Sequence, residues 1–495
     1  MQRLKLLLFS VLIFLPWTTF AQIQQIDTLL TNLYQNHMLN GNVAIFDHGK
    51  IVYQKSFGIA DAQGNILNQT HTRFQLASIG KIFTATAILQ LKEKKLLRLD
   101  DAVSKFLPAF PFPRVTIRQL LSHTSGLPDL QIFDPLAREQ PDRIIDNSVV
   151  IDALKRYGKL EFEPGEKWRY SNPGYCVLAL IVEKVTKQKF ADYLAANIWK
   201  PASMNNTYPY SAALTKPDPL RAESYRMPIF SFQLQKVDTM SRYKAVLFNF
   251  GGLQGLGFIA STTADLLSFD KAIDAGILLK PSTLKEAYEP QKLKSGEAAV
   301  VEPGKLTFGL GWFISTDSTQ GRIVSHSGFI PGGSTIFLRN ITKRQAVVIL
   351  DNAESDGIHQ TGVAVMALLG GARVNVTKKS LAKVYANDLL VSGADYAAAH
   401  LQELRSDTAQ YRFSSGEMDY CARELNAAGY KIQALETSKL LTFIDPTAWQ
   451  TYNSYGELLL SNGKRKEAAV MFRKSLAIFP DNHFAKQALT NLKLE

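Results

Sequence analysis

From Ile23 to Met38, apolar residues recur at helical spacing with polar residues between them, which predicts an amphipathic helix. Asn42 to Phe46 and Ile51 to Phe57 are apolar and β-branched. Asp47-His48-Gly49-Lys50 between them has the composition of a hairpin turn. Phe74 to Leu91 reads as a loop turning into a helix. Beyond Lys81 that helix is apolar almost all round (Ile82, Phe83, Ala85, Ile88, Leu89, Leu91), so burial is expected. A short helix after Val115 stops at a loop containing Gly126-Leu127-Pro128. Pro164-Gly165 marks a turn ahead of an apolar helix from Tyr175 to Val185. The glycine-rich stretch from Phe248 to Phe269 predicts a close backbone approach, then a helix capped near Ser261 or Thr262. Strand-type runs follow at Phe308 to Ile314, Gly321 to Phe329, Ser334 to Arg339 and Gln345 to Leu350.

From about Lys378 the strand candidates end and only helical ones remain. Two segments align at a shift of 34 residues, with Gly429 on Gly463, Ala434 on Ala468 and Pro446 on Pro480. Around the second, Tyr452, Gly456, Leu459, Ala468, Phe472, Ser475 and Pro480 fall at tetratricopeptide spacing. Ala and Gly sit where paired helices cross closely, and proline ends the second helix. A less regular unit around Gly393 to Leu404 precedes them. The expected organisation is a leader over 1–21, a mixed α/β domain over 22–377 and a helical tetratricopeptide-like domain over 378–495.

Composition narrows the class. The 495 residues fit two or three domains and a large core. A hydrophobic share of 46% with 20% charged residues is that of an ordinary globular protein. The net charge of +12 is dispersed, with no basic run interleaved with aromatics, so nucleic acid is not an expected partner. Met1 to Ala21 has a charged start (Arg3, Lys5), an apolar run from Leu6 to Leu15, and small residues at Thr19 and Ala21. This predicts a signal peptide cleaved after Ala21 and a secreted or periplasmic protein. The run is short for a bilayer span, and no later segment has transmembrane length. Cys176 and Cys421 fall in different expected domains, so neither a disulfide scaffold nor a cysteine metal site is implied. The eight histidines show no HExxH or paired spacing, and no metal or cofactor is expected.

Candidate chemistry begins with Ser78 and Lys81. A spacing of three residues stacks them on one helical face. An ammonium in the first turn of a buried helix needs a reason, because desolvation opposes its charge. A lysine so depressed can hold or accept the serine proton. Taken alone, the pair reads more simply as an N-capping serine and a snorkelling lysine. Tyr170 and Asn172 are two residues apart and share one side of an extended loop. Near a cationic lysine the Tyr170 phenolate would be favoured, making it a candidate general base. His123 and His326 are further candidates. For each the plainer reading is structural, as a loop histidine bonded to backbone and a strand histidine.

Ser78-Ile79-Gly80-Lys81, Tyr170-Ser171-Asn172 and His326-Ser327-Gly328 occur in the order and rough spacing of the serine β-lactamase and penicillin-binding superfamily. With Tyr-x-Asn as second motif, the chain resembles the class C β-lactamase-related branch. The flanks TIRQLLSHTSGLP, FEPGEKWRYSNPGY, GFIASTTADLLSF and FGLGW add to the likeness, which covers about residues 23 to 370. The resemblance implies an antiparallel sheet flanked by helices, with an all-α subdomain inserted. It implies Ser78 as acylated nucleophile, with Lys81 and Tyr170 sharing its proton. It also implies that Asn172 orients substrate, and that the N–H groups of Ser78 and Phe329 form an oxyanion hole. His326, Ser327 and Gly328 line the substrate site. His326 stands where true β-lactamases have lysine, so a peptidase, esterase or amidase role on a small-molecule or peptidoglycan-like substrate fits as well as β-lactam hydrolysis. Pro201-Ala202-Ser203-Met204 departs from the usual Pro-Leu-Gly-Met. The rival class is a hydrolase-fold protein that binds a protein partner through its repeats.

Overall fold

In the computed structural model of this chain, residues 20–492 are described, apart from 212–215, 232, 241–242, 303, 305, 318 and 375–377. The expected signal peptide lies outside the described residues as far as position 19. The described residues 20–35 are helical, where Ile23 to Met38 was expected to be.

The chain forms two compact units. The first contains residues up to Arg226 and Lys236–Val374. The second contains Met227–Gln235 and the residues from 375 on.

The first unit is built on one antiparallel sheet of eight strands among the described residues. They are β1 (Gly41–Asp47), β2 (Lys50–Phe57), β3 (Val300–Glu302), β4 (Leu306–Phe308), β5 (Phe313–Asp317), β6 (Gly321–Ile330), β7 (Gly333–Asn340) and β8 (Gln345–Asp351). Their spatial order is β3-β4-β5-β6-β7-β8-β1-β2. The β1–β2 turn is His48-Gly49, and both residues have positive φ (46° and 82°), as a tight hairpin following the strand twist requires.

Alternate residues of the central strands serve two different cores, as the strand period of two dictates. Ala44, Phe46, Phe337, Ala346, Val348 and Leu350 pack into the larger one. Helices α1 (Lys81–Glu93), α2 (Asn172–Thr186) and α3 (Thr263–Asp274) pack there with them. Val43, Ile45, Ile336, Leu338, Val347 and Ile349 pack on the other face against the 20–35 helix and α4 (Ile358–Leu369). Both faces are covered, so the middle strands read as continuous apolar runs. Thr262 caps α3 by accepting from the Asp265 N–H.

The second unit is helical: α5 (Leu381–Ser392), α6 (Ala394–Leu404), α7 (Ser415–Ala427), α8 (Lys431–Ile444), α9 (Trp449–Ser461), α10 (Arg465–Ile478) and α11 (His483–Leu492). Helices α5, α7, α9 and α11 start at successive intervals of 34 residues. Gly456 admits the Phe472 ring, since a Cβ there would stand 2.8 Å from it. Segment 227–235 packs into this unit although the chain on either side of it belongs to the first. Ile229 and Phe230 are buried in the helical core. The Ile229 N–H donates to Glu424 Oε2 (2.9 Å), and the Phe230 ring lies 5.7 Å from that of Tyr430. Nothing in the apolar pattern of 227–235 announced this excursion.

Candidate active site

Ser78 sits in a 3₁₀ turn, Ala77–Gly80, that runs directly into α1. The turn is gripped from two sides. On one, a Cβ at Gly328 of β6 would stand 2.3 Å from the Leu76 carbonyl oxygen, and Thr335 of β7 donates to that same oxygen (2.8 Å). On the other, a Cβ at Gly257 would stand 2.7 Å from the Ala77 oxygen. Ala77 itself is held at φ 49°, a left-handed conformation that costs an alanine about 1–2 kcal/mol. The glycine-rich stretch and the third motif both have glycine where backbone meets this turn.

Lys81 is fully buried, with 0% of its surface exposed. Its Nζ donates to Ser78 Oγ (3.0 Å), Asn172 Oδ1 (2.8 Å) and the Leu256 carbonyl (2.5 Å). Burial pulls its pKa down to about 7, against the opposing pull of Asp129 and Cys176. At that value the ammonium and the amine are both populated near neutrality.

Asn172 opens α2, whose N-cap Ser171 accepts from the Gly174 N–H and donates to the Pro128 carbonyl. Both the backbone N–H of Asn172 (3.0 Å) and its Nδ2 (2.9 Å) donate to Asp129 Oδ1. A carboxylate only accepts, and Nζ donates to the amide whether charged or neutral, so the amide orientation is fixed chemically. Asp129 and the Leu256 carbonyl are site groups that sequence reading missed. Asp129 follows Leu127-Pro128 directly, and no spacing rule ties it to Asn172.

Tyr170, His123 and His326 belong to an aromatic cluster that joins the second and third motifs. Ring centroids lie 4.1 Å apart for His123 and Tyr170, 6.4 Å for Tyr170 and His326, and 5.3 Å for Phe313 and His326. Lys81 Nζ lies 4.9 Å from the Tyr170 ring centre. The Ser78 hydroxyl acts on the Tyr170 phenol by lowering its pKa. The expected ease of forming a Tyr170 phenolate is not found. Burial raises its pKa and Asp129 raises it further, outweighing the lowering by Ser78, so Tyr170 is a phenol at neutral pH. His123 Nδ1 accepts from the Ser171 N–H (3.2 Å), which is the backbone-bonded loop role. Burial first, and Lys81 next, hold its pKa well below the usual histidine value.

His326 is 1% exposed on β6. Its Nδ1–H donates to the Ser327 carbonyl (2.7 Å), which leaves Nε2 as a buried acceptor with no partner among the described residues. Burial, with Lys81 adding to it, pushes its pKa down to about 3, so the ring is neutral. Since Gly328 faces the Ser78 turn, the side chains of Ser327 and Phe329 point to the other face of the sheet. Phe329 is 61% exposed there. Strand β5 pairs with β6 only as far as Ser325. Beyond that residue, this edge of β6 has no strand partner among the described residues. Among them no group of three or more His, Cys, Asp or Glu could hold a metal ion, and no helix is long and apolar enough to cross a membrane.

The geometry can be set beside known proteins. The family model described as Beta-lactamase matches residues 21–408. This chain belongs to the Beta-lactamase family. Within the family, it is 36% identical over 343 residues to Penicillin-binding protein 4* of Bacillus subtilis, covering 69% of this chain and 74% of that one. It is 29% identical to Protein flp of Staphylococcus aureus, covering 67% of this chain and 64% of the relative. Among solved structures, the penicillin-binding protein from Bacillus halodurans superposes with a TM-score of 0.59 at 27% identity, over 68% of this chain and 98% of that one. The expected fold is thereby borne out: an antiparallel sheet with flanking helices, followed by a C-terminal helical region.

Proposed function

We propose that this member of the Beta-lactamase family is a serine hydrolase that forms an acyl-enzyme on Ser78. The observation that carries the reading is the fully buried Lys81, whose Nζ lies 3.0 Å from Ser78 Oγ. As a neutral amine, Lys81 keeps two N–H bonds, to Asn172 Oδ1 and the Leu256 carbonyl, and turns its lone pair on the serine hydroxyl. It takes the serine proton as Oγ attacks the acyl carbon. Tyr170, a phenol whose ring centre lies 4.9 Å from Lys81 Nζ, relays a proton to the leaving group. The backbone N–H groups of Ser78 and Phe329 hold the oxyanion, an arrangement worth several kcal/mol in such sites. Asn172 orients the acyl part, and the free edge of β6 at His326-Ser327-Gly328 receives the substrate backbone. Water then attacks the ester and the same groups run in reverse.

The bond cleaved is an amide or ester in a small-molecule or peptidoglycan-like substrate. The Tyr-x-Asn second motif supports the class C-related branch. The name of the Bacillus subtilis relative supports a penicillin as probe. We read 22–377 as the hydrolase domain of a secreted or periplasmic protein whose signal peptide ends at Ala21. The 34-residue helical period supports reading 378–495 as tetratricopeptide-like repeats that take a protein partner.

The test is labelling of the full chain with a fluorophosphonate and with a fluorescent penicillin. Ser78 is expected to carry the label and Ser78→Ala to lose it. A folded wild type that neither reagent labels would favour the rival, a non-catalytic binding protein acting through its repeats.

A further inference from the structure

We propose that Asp129 is a positioning residue of this site, which acts through Asn172 to hold Lys81 in place for the serine proton. The inference rests on the hydrolase reading of Ser78 and Lys81 and adds a residue outside the three motifs. One carboxylate oxygen, Oδ1, receives both the backbone N–H and the side-chain Nδ2 of Asn172. Two donors on one acceptor fix the rotation of the amide and the start of α2 together. Turned the other way, the amide would set two donors, Nδ2 and Nζ, against each other and its oxygen against a carboxylate. The negative charge of Asp129 is therefore handed through the amide dipole to Nζ.

Among the groups that face Lys81 from each neighbouring element, Asp129 opposes the effect of burial most, ahead of Cys176. Tyr170 before α2, and Tyr175 and Cys176 within it, are held protonated by burial; the thiol is pushed up to about 12. His123, after the short helix Ile117–Leu121, and His326 on β6 are both held neutral by burial. The Leu256 carbonyl carries no net charge. Asp129 is the acidic side chain among them, and it favours the charged form of Lys81. It thus limits how far burial alone would depress the amine.

Three variants separate orientation from charge. Asp129→Asn keeps an acceptor oxygen for Asn172 and removes the charge. Asp129→Ala removes both. Asp129→Glu keeps the charge on a longer stem. The Lys81 titration is read in the full chain with ¹³Cε-labelled lysine, its resonance identified by its loss in Lys81→Arg. The midpoint should fall in Asp129→Asn relative to wild type. In turnover, Asp129→Ala should lose about 10- to 100-fold in kcat with KM little changed. Asp129→Asn should retain most of that turnover, with its acid limb moved to lower pH. Asp129→Glu should keep the limb in place. An unmoved Lys81 midpoint in folded Asp129→Asn overturns the proposal, as does wild-type kcat per labelled site in Asp129→Ala. The midpoint is independent of activity: if it moves while wild type takes no serine label, the hydrolase reading fails and the Asp129–Lys81 link stands.

Discussion

Gly328 and Leu76 meet so closely that a Cβ on the glycine would stand 2.3 Å from the leucine carbonyl oxygen. That contact seats the turn carrying Ser78 against β6. The pair sets the distance between the serine and the strand edge. The neighbouring atoms are backbone and a short side chain, so the obstruction has no flexible end to yield. Gly328→Ala should therefore push the turn away from β6. A displacement of about 1 Å at a reacting centre can cost on the order of 100-fold. The rate of fluorophosphonate labelling should fall by that order while circular dichroism stays unchanged. An unchanged rate would mean the turn shifts without moving Ser78.

The pH dependence follows from Lys81. Its pKa in the fold is lowered to about 7, and the neutral amine is the proposed base. The rate of Ser78 acylation should rise with pH through about 7 and then level off. His123 and His326 are already neutral there and add no limb, and Tyr170 stays a phenol. Stability carries the same sign. Between about 7 and the ordinary lysine value of about 10.4, the unfolded chain binds the extra proton, so wild type should gain stability with pH over that window relative to Lys81→Met. Labelling rates and denaturant melts across pH 5–10 measure both. A flat labelling profile from 5 to 9 would remove Lys81 as the base.

His326, whose ring centre lies 6.4 Å from that of Tyr170, carries a buried, unprotonated Nε2, so it offers an acceptor where a third-motif lysine would offer a charge. His326→Lys should turn selectivity toward carboxylate-bearing substrates. A hydrogen bond to a charged group contributes about 1.5 kcal/mol or more, roughly tenfold. The ratio of kcat/KM for nitrocefin to that for a p-nitrophenyl ester should rise by that factor. An unchanged ratio in a folded variant assigns His326 to packing.

Ser203 stands at the glycine position of the Pro-Leu-Gly-Met pattern that the resemblance leads one to expect, and its φ is 59°. It is exposed, and it follows the helical stretch Ala195–Trp199, closing it with N–H bonds from Ser203 to Lys200 and from Met204 to Trp199. The left-handed conformation costs a residue with a Cβ about 1–2 kcal/mol, while glycine loses about 0.4–1 kcal/mol more entropy on folding. Ser203→Gly should stabilise by up to about 1 kcal/mol in denaturant melts, with labelling unchanged. A loss of stability would refute the strain.

Truncation bears on the excursion at 227–235. A chain ending near Val374 keeps every candidate site residue but lacks the helices that bury Ile229 and Phe230. It should still take the serine label, yet aggregate more readily than the full chain. Ile229→Ser with Phe230→Ser in that truncation should restore solubility. Loss of labelling in a soluble, folded truncation would show that the helical unit shapes the site.

Local patterns carried much of this molecule. The hairpin at Asp47 to Lys50, the buried helix after Lys81, the cap at Thr262 and the 34-residue period are short-range features that hydrophobic spacing and turn chemistry dictate directly. The candidate nucleophile Ser78 and its lysine were legible for the same reason, since three residues of separation place them on one face wherever the chain goes. Asp129 was not legible, because its bond to Asn172 spans 43 residues and rests on where two loops meet.

The sequence by itself determined which elements form, which chemistry-bearing residues the chain carries and in what order. Tertiary structure alone decided their states: that Tyr170 stays a phenol, that His326 keeps a buried acceptor without a partner among the described residues, and that Lys81 titrates near neutrality. Those states depend on desolvation and on partners distant in the chain, and both come into being only when the sheet, α1 and the loop at Asp129 close around one another.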